Sequence, residues 1–271
     1  MRLLLALVTL ATLTAGCRES VEARFIYYPS HRLHADPSSV GLAFRDVRFT
    51  AADGVRLHGW LIPGRTATTL LYSHGNAGNI GGRLAIARLL VDQLGVGVFL
   101  YDYRGYGRSE GVPSEAGLVK DAFGARAALV HEGIAADDIV YLGRSLGAAV
   151  TVDLALAYPP PGVVLEAPFA SVPAMAARLM PGARRFFHTR WDSLGKIGKL
   201  RAPLLVMHSD VDETVPYAQG RAVFAAAPEP KTFFTIRGGR HYDMNAAWTD
   251  YWAAWRAFLA GVRTTTLARP H

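Results

Sequence analysis

Gly143-Arg144-Ser145-Leu146-Gly147 sits between two stretches of different periodicity. Asp138-Ile139-Val140-Tyr141-Leu142 precedes it, a short apolar run of β-branched and aromatic residues that reads as a buried strand. Ala148-Ala149-Val150-Thr151-Val152-Asp153-Leu154-Ala155-Leu156-Ala157 follows, a helix rich in small residues. Strand, G-x-S-x-G, helix is the setting of a nucleophile elbow. The turn is so sharp that its flanks tolerate almost no side chain, hence the glycines. Ser145 is thereby lifted above the sheet at a helix N-terminus, where the dipole favours developing negative charge.

A second match, Gly107-Arg108-Ser109-Glu110-Gly111, lacks that setting. It follows the glycine-rich Asp102-Tyr103-Arg104-Gly105-Tyr106 and runs into Val112-Pro113-Ser114, where a helix begins only after the proline. Ser109 reads as a loop residue and Ser145 as the nucleophile.

Around the elbow, strands alternate with helices. Val47 to Thr50, Asp53-Gly54 and Val55 to Ile62 form a hairpin pattern. Thr69 to Ser73 is a continuous apolar strand running into His74-Gly75-Asn76-Ala77-Gly78-Asn79, and a helix follows to about Leu94. Val96 to Tyr101 is the next strand. Ser114 caps a helix reaching about His131, with Glu115 in its first turn. Further strands are read at Gly162 to Glu166, Pro203 to His208 and Lys231 to Ile236, and Trp248 to Leu259 closes the chain as a helix. This alternation predicts an α/β fold with a mainly parallel sheet covered on both faces.

A serine hydroxyl needs a base, and the base needs an orienting carboxylate. Of nine histidines only His241 and the terminal His271 follow the last strand, so His241 is the candidate base. His208 ends a strand and reads as structural, and His74 reads as a loop-fixing hydrogen-bonder. Asp210 and Asp212 compete as the acid; Asp212, opening Asp212-Glu213-Thr214-Val215-Pro216, is preferred with Asp210 as fallback. Two backbone N–H groups are needed for an oxyanion hole, and Leu146 and Asn76 are the candidates. His31-x-x-His34 lacks further ligands and makes a poor metal site.

His74-Gly75-Asn76-Ala77-Gly78-Asn79, Asp102-Tyr103-Arg104-Gly105-Tyr106-Gly107, the Ser145 motif, Asp212-x-x-Val215-Pro216 and Gly239-Arg240-His241 together resemble the α/β-hydrolase superfamily. The first two blocks resemble its small-lid branch of protein depalmitoylases and related esterases. The likeness extends over about residues 25–262. It implies hydrolysis of a small acyl ester or thioester through an acyl-enzyme, without a metal or organic cofactor. A serine peptidase of the same fold and a catalytically silent envelope-binding protein are the alternatives. No acidic cluster near the lid supplies a site for a peptide amine, and the full triad argues against silence.

The hydrophobic fraction of 51% supplies a full core, and the lone Cys17 excludes an internal disulfide. The net charge of +7 comes without a basic run or reading motif, which argues against nucleic acid as a partner. Residues 1–16 read as a signal peptide: Met1-Arg2, an apolar stretch from Leu3 to Leu13, then Ala15-Gly16. As a helix that stretch reaches only ~20 Å, short of the ~30 Å bilayer core. Leu13-Thr14-Ala15-Gly16-Cys17 resembles a bacterial lipobox, although Thr14 departs from the usual leucine. The resemblance implies lipidation of Cys17 and an envelope protein, with plain secretion as the fallback.

The expected organisation is a lipidated cysteine and solvated linker over 17–42, a hydrolase domain over 43–262 and a frayed tail over 263–271. Within the domain, 168–201 is too long for a plain crossover helix and is expected to cap the site as a lid. It holds seven basic residues against Asp192, a net +6. With Leu179, Met180, Phe186, Phe187 and Trp191 among them, these suit an anionic lipid surface or an acyl substrate with an acidic head.

Overall fold

The computed structural model describes residues 26–179, 188–241 and 249–267. Eight strands form one sheet: β2 (Arg45–Thr50), β3 (Arg56–Ile62), β4 (Thr69–Ser73), β6 (Gly97–Asp102), β7 (Ile139–Arg144), β8 (Val163–Glu166), β9 (Leu204–Ser209) and β10 (Lys231–Ile236). Their spatial order is β10-β9-β8-β7-β4-β6-β3-β2. Only β3 runs against the others, because the hairpin across Asp53-Gly54 reverses it relative to β2 and it then pairs antiparallel to β6. Two short strands, β1 (Tyr28–Pro29) and β5 (Ala77–Gly78), pair separately.

The central strands are buried on both faces, as their unbroken apolar runs require. Alternation along each strand divides the interior into two cores. Leu71, Phe99 and Tyr141 pack on one face with α2 (Glu115–His131) and α3 (Leu146–Ala157). Leu70, Leu100 and Val140 pack on the other with α1 (Leu84–Leu94) and the closing helix, which carries Trp252 and Trp255. Helix α3 is buried nearly all round, which explains its run of Ala, Val and Gly. The parallel strands all end at the same edge, where ligands bind in open α/β sheets.

Two boundaries differ from the sequence reading. Residues 26–42 are not a solvated linker: Tyr27 and Leu42 are buried, β1 pairs with β5, and Pro37–Val40 forms a short 3-10 helix. Aromatic and apolar residues in this segment find partners in the domain, an outcome that short-range periodicity does not signal. The closing helix spans Thr249–Leu267 and so runs past the expected boundary at 262. The described residues of the expected lid, 168–179 and 188–201, carry two short helices. The first is α4 (Val172–Leu179) and the second α5 (Ser193–Ile197), and α5 packs against α3 and α6 (Tyr217–Ala226).

The signal peptide, Cys17, Met180, Arg184, Arg185, Phe186 and Phe187 lie outside the described residues. No helix among the described residues is long and apolar enough to cross a membrane.

Candidate active site

Strand β7 ends at Arg144 and helix α3 starts at Leu146, so Ser145 alone makes the turn, at φ 53° and ψ −115°. That is strained backbone for a residue with a side chain, and such strain gathers at functional sites. The flanking glycines are sterically required. A Cβ on Gly147 would lie 1.9 Å from Ser73 O, and one on Gly143 would lie 2.4 Å from both Gly147 O and Thr151 Oγ1. The Ser145 amide donates to Glu166 O at 2.9 Å, tying the turn to the neighbouring strand. By contrast, Ser109 is buried in its loop, where its hydroxyl donates to Asp102 O at 2.7 Å and accepts from His58 N at 3.0 Å.

His241 and Asp212 meet although 29 residues separate them: His241 Nδ1 lies 2.7 Å from Asp212 Oδ2. Both are buried. The other carboxylate oxygen of Asp212 accepts from Thr214 N at 2.8 Å and Val215 N at 2.7 Å. Burial alone would raise the Asp212 pKa, but hydrogen bonds from His208, His241 and Val215 N together hold it well below the usual carboxylate range. Asp210 instead accepts from Gly238 N at 2.8 Å and is exposed, which removes it from the histidine. His208 is structural, with Nε2 donating to Val215 O at 2.9 Å.

Three further contacts fix the His241 backbone. Its amide donates to Glu213 Oε2 at 3.0 Å, and its carbonyl accepts from Arg144 Nη2. Ser209 Oγ donates to Gly239 O just before it. The role of Arg144 is invisible in the sequence, where it occupies the variable position of the serine motif.

The loop after β4 lies over the elbow, and Gly75 approaches Ser145 closely enough that an added Cβ would sit 3.7 Å from Ser145 Cβ. The Asn76 side chain is fully engaged. Its oxygen accepts from Tyr106 Oη at 3.0 Å and Tyr28 N at 3.3 Å, while Nδ2 donates to Ile26 O. Asn79 reaches back in the same way, donating to Ser30 O at 3.0 Å and Arg32 O at 2.9 Å. Residues 26–32 thus strap down the loop that carries one candidate oxyanion amide. His74 fixes the start of that loop through Nδ1 donation to Gly75 O at 2.7 Å. Burial, and then the nearby Arg83 charge, lower its pKa to about 3, so it is neutral there. Beneath it Asp102 accepts from Ile80 N at 2.9 Å.

Beside Ser145 a cavity of about 370 Å³ is walled by Tyr72, Arg83, Ile86, Leu89, Arg144 and His241. Ser145 and His241 thus share one cavity. None of the described residues of 168–201 lines it. Trp191, expected among the membrane-facing residues of the lid, instead points inward: it is fully buried and its Nε1 donates to Tyr27 Oη at 3.0 Å. Glu115 holds the adjacent backbone, accepting from Arg190 N at 2.6 Å and Trp191 N at 2.8 Å. His31 and His34 are exposed, and no group of three or more metal-ligating side chains occurs among the described residues.

A family profile described as serine aminopeptidase, S33, matches residues 64–196. Among curated proteins the chain is similar to the uncharacterised protein Rv2307c of Mycobacterium tuberculosis, with 39% identity over 230 residues that cover 83% of this chain and 82% of that one. It is 35% identical over 234 residues to the alpha/beta hydrolase domain-containing protein WAV2 of Arabidopsis thaliana, covering 76% and 75% of the two chains. Among solved structures it superposes on the esterase Pf2001 of Pyrococcus furiosus with a TM-score of 0.71 at 17% identity, covering 87% of this chain and 97% of that one. Fold, strand order and these relatives agree, and the chain belongs to the α/β-hydrolase superfamily.

Proposed function

We propose that this hydrolase is a serine esterase or thioesterase in which Ser145, His241 and Asp212 form the catalytic triad. The observation that carries this reading is the 2.7 Å His241–Asp212 contact, with His241 and the strained Ser145 lining one cavity. Ser145 Oγ attacks the acyl carbonyl, and its proton passes to His241 Nε2. Asp212 holds the imidazole in the tautomer with the proton on Nδ1 and stabilises the imidazolium. The amides of Asn76 and Leu146 stabilise the oxyanion. As the tetrahedral species collapses, His241 returns the proton to the leaving alcohol or thiol. Water, activated by the same histidine, then releases the acid.

A cavity of this size lies at the low end of the range for small-molecule pockets and suits a short acyl group. An aminopeptidase reading follows from the wording of the matching family. The cavity disfavours it, because Arg83 and Arg144 in its wall carry guanidinium groups, which repel a substrate's free ammonium.

The test is labelling by a fluorophosphonate, followed by turnover of a p-nitrophenyl ester series of increasing acyl length. The parent protein labels and hydrolyses the short esters fastest. Ser145→Ala loses both labelling and turnover, whereas Ser109→Ala keeps its label; an unlabelled but folded Ser109→Ala overturns the assignment. We further propose attachment to the cell envelope through diacylglycerol on Cys17, with the basic segment 168–201 adding attraction to anionic lipid. Mass spectrometry of the mature N-terminus from the native host decides the first. Salt-sensitive binding of unlipidated protein to anionic vesicles decides the second.

A further inference from the structure

Two guanidinium groups, of Arg83 and Arg144, face the cavity at Ser145, and among the described residues neither has an acidic partner in contact. Arg83 Nη2 donates to Ala77 O at 2.5 Å and to Gly75 O at 3.4 Å. Its Nε is buried without any hydrogen-bond partner. Neither Arg83 nor Arg144 forms an ion pair among the described residues. Arg144 spends one nitrogen on His241 O and feels the buried Glu166 through space. The charge of Arg83 reaches His74, Tyr72 and Tyr106.

A buried guanidinium donor with no acceptor is costly in a folded protein, and planar forked donors match oxyacid groups. One strip of the cavity wall is apolar: Ala85, Ile86 and Leu89 follow Arg83 along helix α1. A cation, a short apolar strip and a nucleophile in one cavity suit a ligand with an acyl carbonyl, a short hydrocarbon spacer and a negative group. We propose that the cavity selects esters bearing a second, ionised oxyacid group, carboxylate or phosphate, and that Arg83 is the residue that recognises it. This inference rests on the ester-hydrolase reading of Ser145 for its chemistry, though not for binding.

The experiment compares matched pairs. 4-Nitrophenyl hydrogen glutarate, which carries a carboxylate, is set against its neutral methyl ester. 4-(Butyryloxy)phenyl phosphate is set against 4-methoxyphenyl butyrate, so the two arms separate carboxylate from phosphate. The parent prefers the anionic member of at least one pair by about tenfold or more in kcat/KM, the size expected of a charge-assisted hydrogen bond. Arg83→Gln brings that ratio to about one, and Arg83→Lys restores part of it. Using the ratio cancels any loss from loosening Ala77 and Gly75. Equal loss on both members leaves the ratio intact and makes Arg83 a loop-positioning residue, which overturns the proposal, as does a parent preference for the neutral esters.

Binding of intact hydrogen glutarate ester and of the phosphate ester to Ser145→Ala, by calorimetry, decides the site without turnover. Tighter binding of an anionic member than of its neutral partner, lost in Ser145→Ala with Arg83→Gln, supports it; equal binding overturns it. A parent that cleaves no ester overturns the hydrolase reading alone and leaves this binding result standing.

Discussion

At the residue scale, Asp212 and Asp210 are two positions apart and carry the same side chain, yet only one faces the histidine. The difference is local: Asp212 caps the backbone of Thr214 and Val215, which turns its second oxygen toward His241. Asp210 spends its carboxylate on Gly238 N. Asp212→Asn is expected to lower kcat by about 10³–10⁴-fold, since an amide favours the wrong imidazole tautomer. Asp210→Asn is expected to cost no more than about tenfold, through a looser turn at Gly238. Measuring kcat for both variants on one short ester checks this, and the reverse ranking moves the acid to Asp210. Sequence order and residue type singled out Ser145, His241 and Asp212, which the fold brings to one place. They could not place Arg144 or Arg83, whose partners lie 97 residues away in one case and on a loop carbonyl in the other. Neither contact leaves a periodic trace.

At the scale of the element, the loop from His74 to Asn79 begins with a group that titrates differently in the folded and unfolded chain. His74 is buried and neutral, with a pKa lowered from 6.5 to about 3, chiefly by burial and then by Arg83. The unfolded chain therefore binds a proton below pH 6.5 that the folded protein refuses until about pH 3. Stability present above pH 6.5 is lost as pH falls through that window, at about 1.4 kcal/mol per pH unit for one proton. Thermal melting between pH 7 and pH 5 should show this slope, and His74→Gln should flatten it; an unchanged slope assigns the acid sensitivity elsewhere. The regular elements themselves were largely legible, because continuous apolar strands and capped helices carry their signals within a few residues. Ser114, for example, caps α2 as read, accepting from Gly117 N at 3.1 Å. The segment 26–42 was not legible. Its strand is two residues long and exists only because β5 lies beside it.

At the scale of the whole molecule, the eight-stranded sheet, most of both cores and the site residues lie after residue 43, but the strap that holds the site's loop lies before it. The strap over residues 26–32 supplies carbonyls to Asn76 and Asn79, an amide to Asn76, and the Tyr27 hydroxyl to Trp191. A chain beginning at residue 43 is expected to keep its circular dichroism, melt at a lower temperature and lose at least about tenfold in fluorophosphonate labelling rate. Normal labelling would show that the loop needs no strap. The opposite end of the chain contributes His241, so competence draws on the first and the last thirds of the polypeptide together. If the proposed triad is correct, copies cut short at either end lose activity, and turnover of a short ester would report on molecular integrity. A cell-based screen could score intact copies by colour, without an antibody or a tag.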